Sequence, residues 1–132
     1  MILSMSNQAQ ALNALFMPSQ GPQILSVDSA DNTVLITLHV PEQLSWFDGH
    51  FPEQKVLPGV VQVDWAGKLA RALFVKDDAF QQLSNIKFKT MVMPDTAMQL
   101  ELTFNAAKHS IKFTYFNETD SFSSGSFKFI TS

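Results

Sequence analysis

The order of elements along the chain predicts an α+β fold, an antiparallel sheet packed around one long helix, and three observations carry that prediction. From Gly59 to about Val75 the apolar residues cover nearly all sides of a helix, as in a helix held inside a core. Beyond it, four segments alternate or cluster apolar residues like strands and are joined by short turns. At 132 residues the chain makes one domain, so helix and sheet must share a single core.

The elements follow in order. Ala11, Leu12, Leu15 and Phe16 recur at helical spacing between about Asn7 and Phe16, and Pro18 and Gly21 stop that helix. Residues 1–20 are therefore an N-terminal helical segment of a single domain spanning 1–132. A strand from Gln23 to Asp28 leads through an Asp31-Asn32 turn into Thr33 to Val40, where Val34, Ile36, Leu38 and Val40 form one apolar face. Pro41 to Pro58 breaks every period and reads as an ordered loop with one turn near Leu44 to Phe47. Loops of that length in a small domain commonly carry function. After the helix, the strands are placed at Ser84 to Val92, Ala97 to Ala106, Ser110 to Asn117 and Phe122 to Ile130. Turns fall at Asn105 to His109 and Asn117 to Asp120.

Composition narrows the chemistry. Apolar residues at 45% and charged ones at 16% oppose disorder and suit a packed domain. With no Cys there is no disulfide scaffold, no thiolate metal site and no cysteine nucleophile. The first ten residues lack the basic start and apolar core of a signal peptide, and no apolar run approaches membrane-span length. The expectation is a soluble, cytoplasmic protein, in which the Asn117-Glu118-Thr119 sequon goes unused. Net charge is only −3, but all nine Lys and Arg lie from Lys55 onward. The second half is thus net basic and offers either a docking face for an acidic partner or a solvated surface.

Three groups are candidates for chemistry. His50, in Trp46-Phe47-Asp48-Gly49-His50-Phe51-Pro52, titrates near neutrality and can act as a general base, or it is a structural loop histidine. Asp64 sits in the apolar run Val60-Val61-Gln62-Val63-Asp64-Trp65-Ala66, where burial would favour the protonated acid and make it a proton donor. Lys68, one turn on, offers the alternative of an ordinary i, i+4 ion pair. Pro58-Gly59 starts the helix, and its unpaired N–H groups can either stabilise an anionic oxygen or simply begin the helix. His39 and His109 have no acid beside them in sequence, and no two His fall at i, i+4, so no metal site is expected. A phosphate-binding loop, a Gly-x-Ser-x-Gly elbow and a nucleic-acid surface all lack their residues.

Taken together, Gly49-His50-Phe51-Pro52, Val56-Leu57-Pro58-Gly59 and Asp64 resemble the signature of the FabZ/FabA-type 3-hydroxyacyl-acyl-carrier-protein dehydratases. Ile86-Lys87-Phe88-Lys89-Thr90-Met91-Val92-Met93-Pro94-Asp95 is similar to the strand and turn that follow the family's helix. The wording from Leu57 to Ala66 looks closest to the ApeI-like branch, associated with aryl polyene assembly. This resemblance implies a hotdog fold, with active sites at a dimer interface where the His of one subunit faces the carboxylate of the other. It implies that His50 takes the α-proton of a 3-hydroxyacyl thioester, that Asp64 protonates the leaving hydroxyl, and that Gly59 N–H holds the thioester carbonyl. Phe51, Pro58 and Val60 would line the substrate site, and no cofactor or metal is required. The partner would be an acidic acyl carrier protein, with Arg71, Lys76, Lys87 and Lys89 as contacts, and the second subunit would be identical or a related hotdog chain. Glu53, Lys55, Lys68 and the Gly-less Pro94-Asp95 depart from the family pattern. A hotdog thioesterase, a non-catalytic partner subunit and an acyl-chain isomerase are the competing functions.

Overall fold

Alternation of inward apolar with outward-facing side chains builds the central strands of the sheet. In the computed structural model, which describes residues 2–47 and 55–130, six strands pair side by side. They are β1 (Gln23–Ala30), β2 (Thr33–His39), β3 (Ala79–Phe88), β4 (Ala97–Asn105), β5 (Ser110–Phe116) and β6 (Ser121–Ile130). The spatial order is β1-β2-β4-β5-β6-β3, every pair antiparallel. Val34, Ile36 and Leu38 of β2 and Ile111, Phe113 and Tyr115 of β5 all point inward and are buried. The period of two thus sets which face of the sheet becomes core.

Helix α2 (Gly59–Leu73) fills that face. Its Val61, Trp65, Ala66, Leu69 and Ala70 are buried and join Phe113, Tyr115 and Phe127 in one core, with the polar Gln62 buried beside them. Each large apolar side chain so buried contributes about 1.5–3 kcal/mol. The helix is not buried all round, contrary to the sequence expectation. Val60 is 75% exposed, and Asp64, Lys68 and Arg71 continue an exposed stripe at helical spacing. The apolar excess had hidden an ordinary amphipathic period.

Helix α1 (Ile2–Asn13) begins earlier than its apolar pattern indicated. At its end the Asn13 carboxamide takes both main-chain groups of Ile24: Nδ2 donates to Ile24 O at 3.1 Å, and Oδ1 accepts from Ile24 N at 2.8 Å. A side chain thereby occupies the outer edge of β1, where the register also slips between Ile24 and Ser26.

The third strand differs most from expectation. β3 runs from Ala79 to Phe88 instead of Ser84 to Val92, with register irregularities against β6 and a left-handed Asn85 at φ 56°. It stops at Phe88 because the next amides turn away: Lys89 N and Thr90 N both donate to Phe122 O. Phe80, Leu83 and Phe88 of this edge strand are exposed. The sequon residue Asn117 is held in the β5–β6 turn, its Oδ1 accepting from Thr119 N and Asp120 N.

Candidate active site

The loop expected to carry the base lies between two buried anchors. Before it, a one-turn 3-10 helix (Ser45–Phe47) buries Phe47 and is tied to the turn after α1 by Ser45 N donating to Ser19 O. Trp46 Nε1 and Trp65 Nε1 both donate to Gln20 O, at 2.7 and 3.0 Å, so the same carbonyl ties the 3-10 turn to α2. After it, Leu57 is buried and its N–H donates to Val92 O at 2.7 Å. His50 and Phe51 themselves lie outside the described residues.

Pro58 starts α2 with φ −57° and offers no side-chain cap to the first turn. Val61 N and Gln62 N reach back to Pro58 O, whereas Gly59 N and Val60 N have no acceptor among the described residues. Among the described residues these two donors, with the positive end of the helix dipole behind them, are thus open to an anionic oxygen. They open on a cleft of about 610 Å³ lined by Leu57, Pro58, Gly59, Val60, Phe88 and Lys89, among others. Three of the expected substrate contacts and one expected carrier contact thus share one cleft. A Cβ at Gly59 would lie 2.6 Å from Phe88 Cζ, so a larger residue there has to move that ring.

Asp64 is where the expectation needs correction. Its side chain is 53% exposed in the single chain, not buried as the apolar run around it suggested. Lys68 Nζ lies 3.1 Å from its Oδ2, the i, i+4 pair that spacing had offered as the alternative. Lys68 also stands 5.7 Å from the centroid of the Phe16 ring. Asp64 projects from the same exposed stripe of α2 as Val60, a face that the chain's own sheet does not cover.

The cationic residues expected at the carrier protein fall in two places. Arg71 and Lys76 line a shallow groove with Leu15, Lys68 and Ala72, whereas Lys89 lines the cleft at Gly59 and Lys87 projects from β3. Each remaining histidine has an acid that sequence proximity did not reveal. His39 Nε2 donates to Asp95 Oδ1 and His109 Nε2 to Asp78 Oδ2, both at 2.5 Å. Among the described residues no three His, Cys, Asp or Glu side chains converge to hold a metal, and no helix is long and apolar enough to cross a membrane.

Sequence reasoning missed a polar group beneath the cleft. Gln62 is only 4% exposed and Ser123 1%, and Ser123 Oγ donates to Gln62 Oε1 at 2.7 Å. Gln62 Nε2 donates to Leu57 O at 3.2 Å, and Tyr115 OH donates to Gln62 O at 2.7 Å. Burial pushes the Tyr115 phenol well above its ordinary range, and the negative charge of Asp64 adds to that rise. The available signal was a polar residue three positions before Trp65 on what became the inward stripe.

Comparison with known proteins follows the same lines. Residues 26–126 match the ApeI dehydratase model of the ApeI-like family. A 3-hydroxyacyl-[acyl-carrier-protein] dehydratase FabZ from Rhizobium johnstonii is 29% identical over 94 residues, covering 66% of this chain and 57% of that one. The matched stretch thus spans little more than half of that curated relative. Among solved structures, the dehydratase heterocomplex ApeI:P from Xenorhabdus doucetiae superposes with a TM-score of 0.76 at 29% identity, covering 83% of this chain and 98% of that one. An uncharacterized protein from Erwinia carotovora subsp. atroseptica superposes at 0.72 with 36% identity, covering 83% and 95%.

Proposed function

The chain belongs to the ApeI-like dehydratase family, and on that premise we propose that it converts a 3-hydroxyacyl thioester on an acyl carrier protein to the trans-2-enoyl thioester. The uncapped start of α2, opening on the cleft at Gly59, is the observation that supports this most. His50 removes the proton on C2, and the electron pair moves toward the thioester oxygen, where Gly59 N–H stabilises the developing charge. Those electrons then form the C2=C3 bond as the C3–O bond breaks. Asp64, protonated once the second subunit covers this face, gives the departing hydroxyl its proton, directly or through a water, so that water leaves. The chemistry draws on no cofactor.

In this reading His50 meets the Asp64 of a second subunit. The exposed stripe with Val60 and Asp64, and the exposed apolar edge strand β3, are the surfaces that favour such a pairing. The second subunit is another copy or a related hotdog chain, the latter suggested by the heterocomplex of the Xenorhabdus relative. The substrates are aryl polyenoyl intermediates in preference to ordinary fatty chains, and Arg71, Lys76, Lys87 and Lys89 receive the acidic carrier.

The test is mass spectrometry of carrier-bound 3-hydroxyacyl chains, aliphatic beside aromatic, incubated with the purified protein and with His50→Ala. Loss of one water with the wild type and none with the variant is expected. Retention of the hydroxyl on every chain by the wild type, alone and with a related subunit, would overturn the proposal.

A further inference from the structure

We propose that Gln62 is a positioning residue whose carboxamide, paired with Ser123, fixes the start of α2 against the opposite wall of the cleft and so sets where the Gly59 N–H points. The inference rests on the dehydratase reading for its catalytic half only.

The choice of an amide at this position calls for a reason beyond packing. Gln62 stands on the buried side of α2 between Val61, Trp65 and Ala66, where an apolar side chain of similar length would be easier to desolvate. Instead both ends of the carboxamide are used. Leu57 O can only accept, so Nε2 must face it, and Oε1 is left for the Ser123 hydroxyl. The same residue's main-chain oxygen takes the Tyr115 hydroxyl.

These bonds close a circuit. Gln62 joins Leu57, one residue before Pro58, to Ser123 on β6. The neighbouring Phe122 carbonyl holds Lys89 and Thr90 on the far side of the cleft, and Val92 beyond them accepts from Leu57 N. Leu57 is therefore gripped at both main-chain groups, from below by Gln62 and from across the cleft by Val92. A donor aimed by such a frame loses effect steeply when it shifts by about 1 Å.

Gln62→Met keeps length and removes both hydrogen bonds, and Ser123→Ala removes one of them with little change of volume. For Gln62→Met, kcat should fall about 10- to 100-fold with KM held within about threefold. Amide hydrogen exchange at Leu57, Lys89 and Thr90 should quicken while that of β2 and β4 stays as it was. Ser123→Ala should show the same pattern more weakly, and the double variant should turn over no more slowly than Gln62→Met alone. Should Gln62→Met fail to fold, Ser123→Ala carries both readouts. Unchanged exchange at Leu57 in either folded variant would overturn the clamp, as would a double variant slowed by the product of the two single effects. A wild type inactive on every 3-hydroxyacyl thioester would overturn the dehydratase reading and the catalytic half with it, leaving the clamp to be decided by exchange.

Discussion

Lys68 Nζ lies 3.1 Å from Asp64 Oδ2 and 5.7 Å from the centre of the Phe16 ring, so a single ammonium spans the outward stripe of α2 and the chain just after α1. Both members of the ion pair are about half exposed, at 52% and 53%. Solvent screening at that exposure leaves such a pair little energetic value, and its importance lies in where it holds the Asp64 carboxylate.

Lys68→Met should therefore change folding stability by less than about 1 kcal/mol, measured by urea unfolding. Asp64→Asn should be equally stable yet lose dehydration by about 100-fold or more, as expected for a lost proton donor. A turnover near wild type in Asp64→Asn would assign this carboxylate to the ion pair alone.

At Gly59 a methyl group would have to displace the Phe88 ring, which is 55% exposed and free to swing. Gly59→Ala should fold normally but turn over roughly tenfold more slowly, because the ring moves into the cleft or the helix start shifts away from it. Adding Phe88→Ala should restore part of the rate. No recovery in the double variant would mean that Phe88 is not the obstacle.

Tyr115 is the only tyrosine, and its phenol is held neutral by burial first and by the Asp64 charge second. Its folded pKa is raised above the unfolded 10.0, so the stability it contributes is fully present below about pH 10 and is lost as pH climbs toward the folded value. Unfolding in urea at pH 9, 10 and 11 should show stability falling by up to about 1.4 kcal/mol per pH unit above 10 from this group. Tyr115→Phe should flatten that slope while costing about 1 kcal/mol at neutral pH for the lost bond to Gln62 O. Equal alkaline slopes in the two proteins would remove Tyr115 from the explanation.

Because the expected carrier contacts occupy two places, they can be reversed separately. Arg71→Glu with Lys76→Glu, and Lys87→Glu with Lys89→Glu, should each raise the apparent KM for carrier-bound substrate severalfold at low salt. The difference should shrink toward 1 M salt, where the screening length is only about 3 Å. A pair whose reversal leaves KM unchanged lies away from the docked carrier.

Much of the fold could be read from local pattern. Ile111, Phe113 and Tyr115 alternate with polar residues in β5 as a half-buried strand must, and Pro58-Gly59 marks the start of α2 by backbone chemistry alone. β3 was misplaced because an exposed edge strand lacks the alternation that burial imposes. The inward stripe of α2 stayed hidden because apolar Val60 stands on the outward side, and with it went the significance of Gln62. The acids that meet His39 and His109 come from 56 and 31 residues away in the chain, a separation that no local motif encodes. Of the candidate site, the helix start and the outward Asp64 are described, and His50 falls outside the described residues.

The two margins of the sheet are unlike each other. On β1 the Asn13 carboxamide already occupies the main-chain groups of Ile24 and the register slips between Ile24 and Ser26, whereas β3 ends the sheet with Phe80 and Leu83 exposed. A sheet with part of one margin already bonded and two large apolar side chains exposed on the other is biased to add a neighbour at β3. In the proposed pairing, two such chains joined at β3 would use up both β3 margins and leave outward the two β1 margins, each with Ile24 already engaged, so the same contact could not be repeated by a third chain.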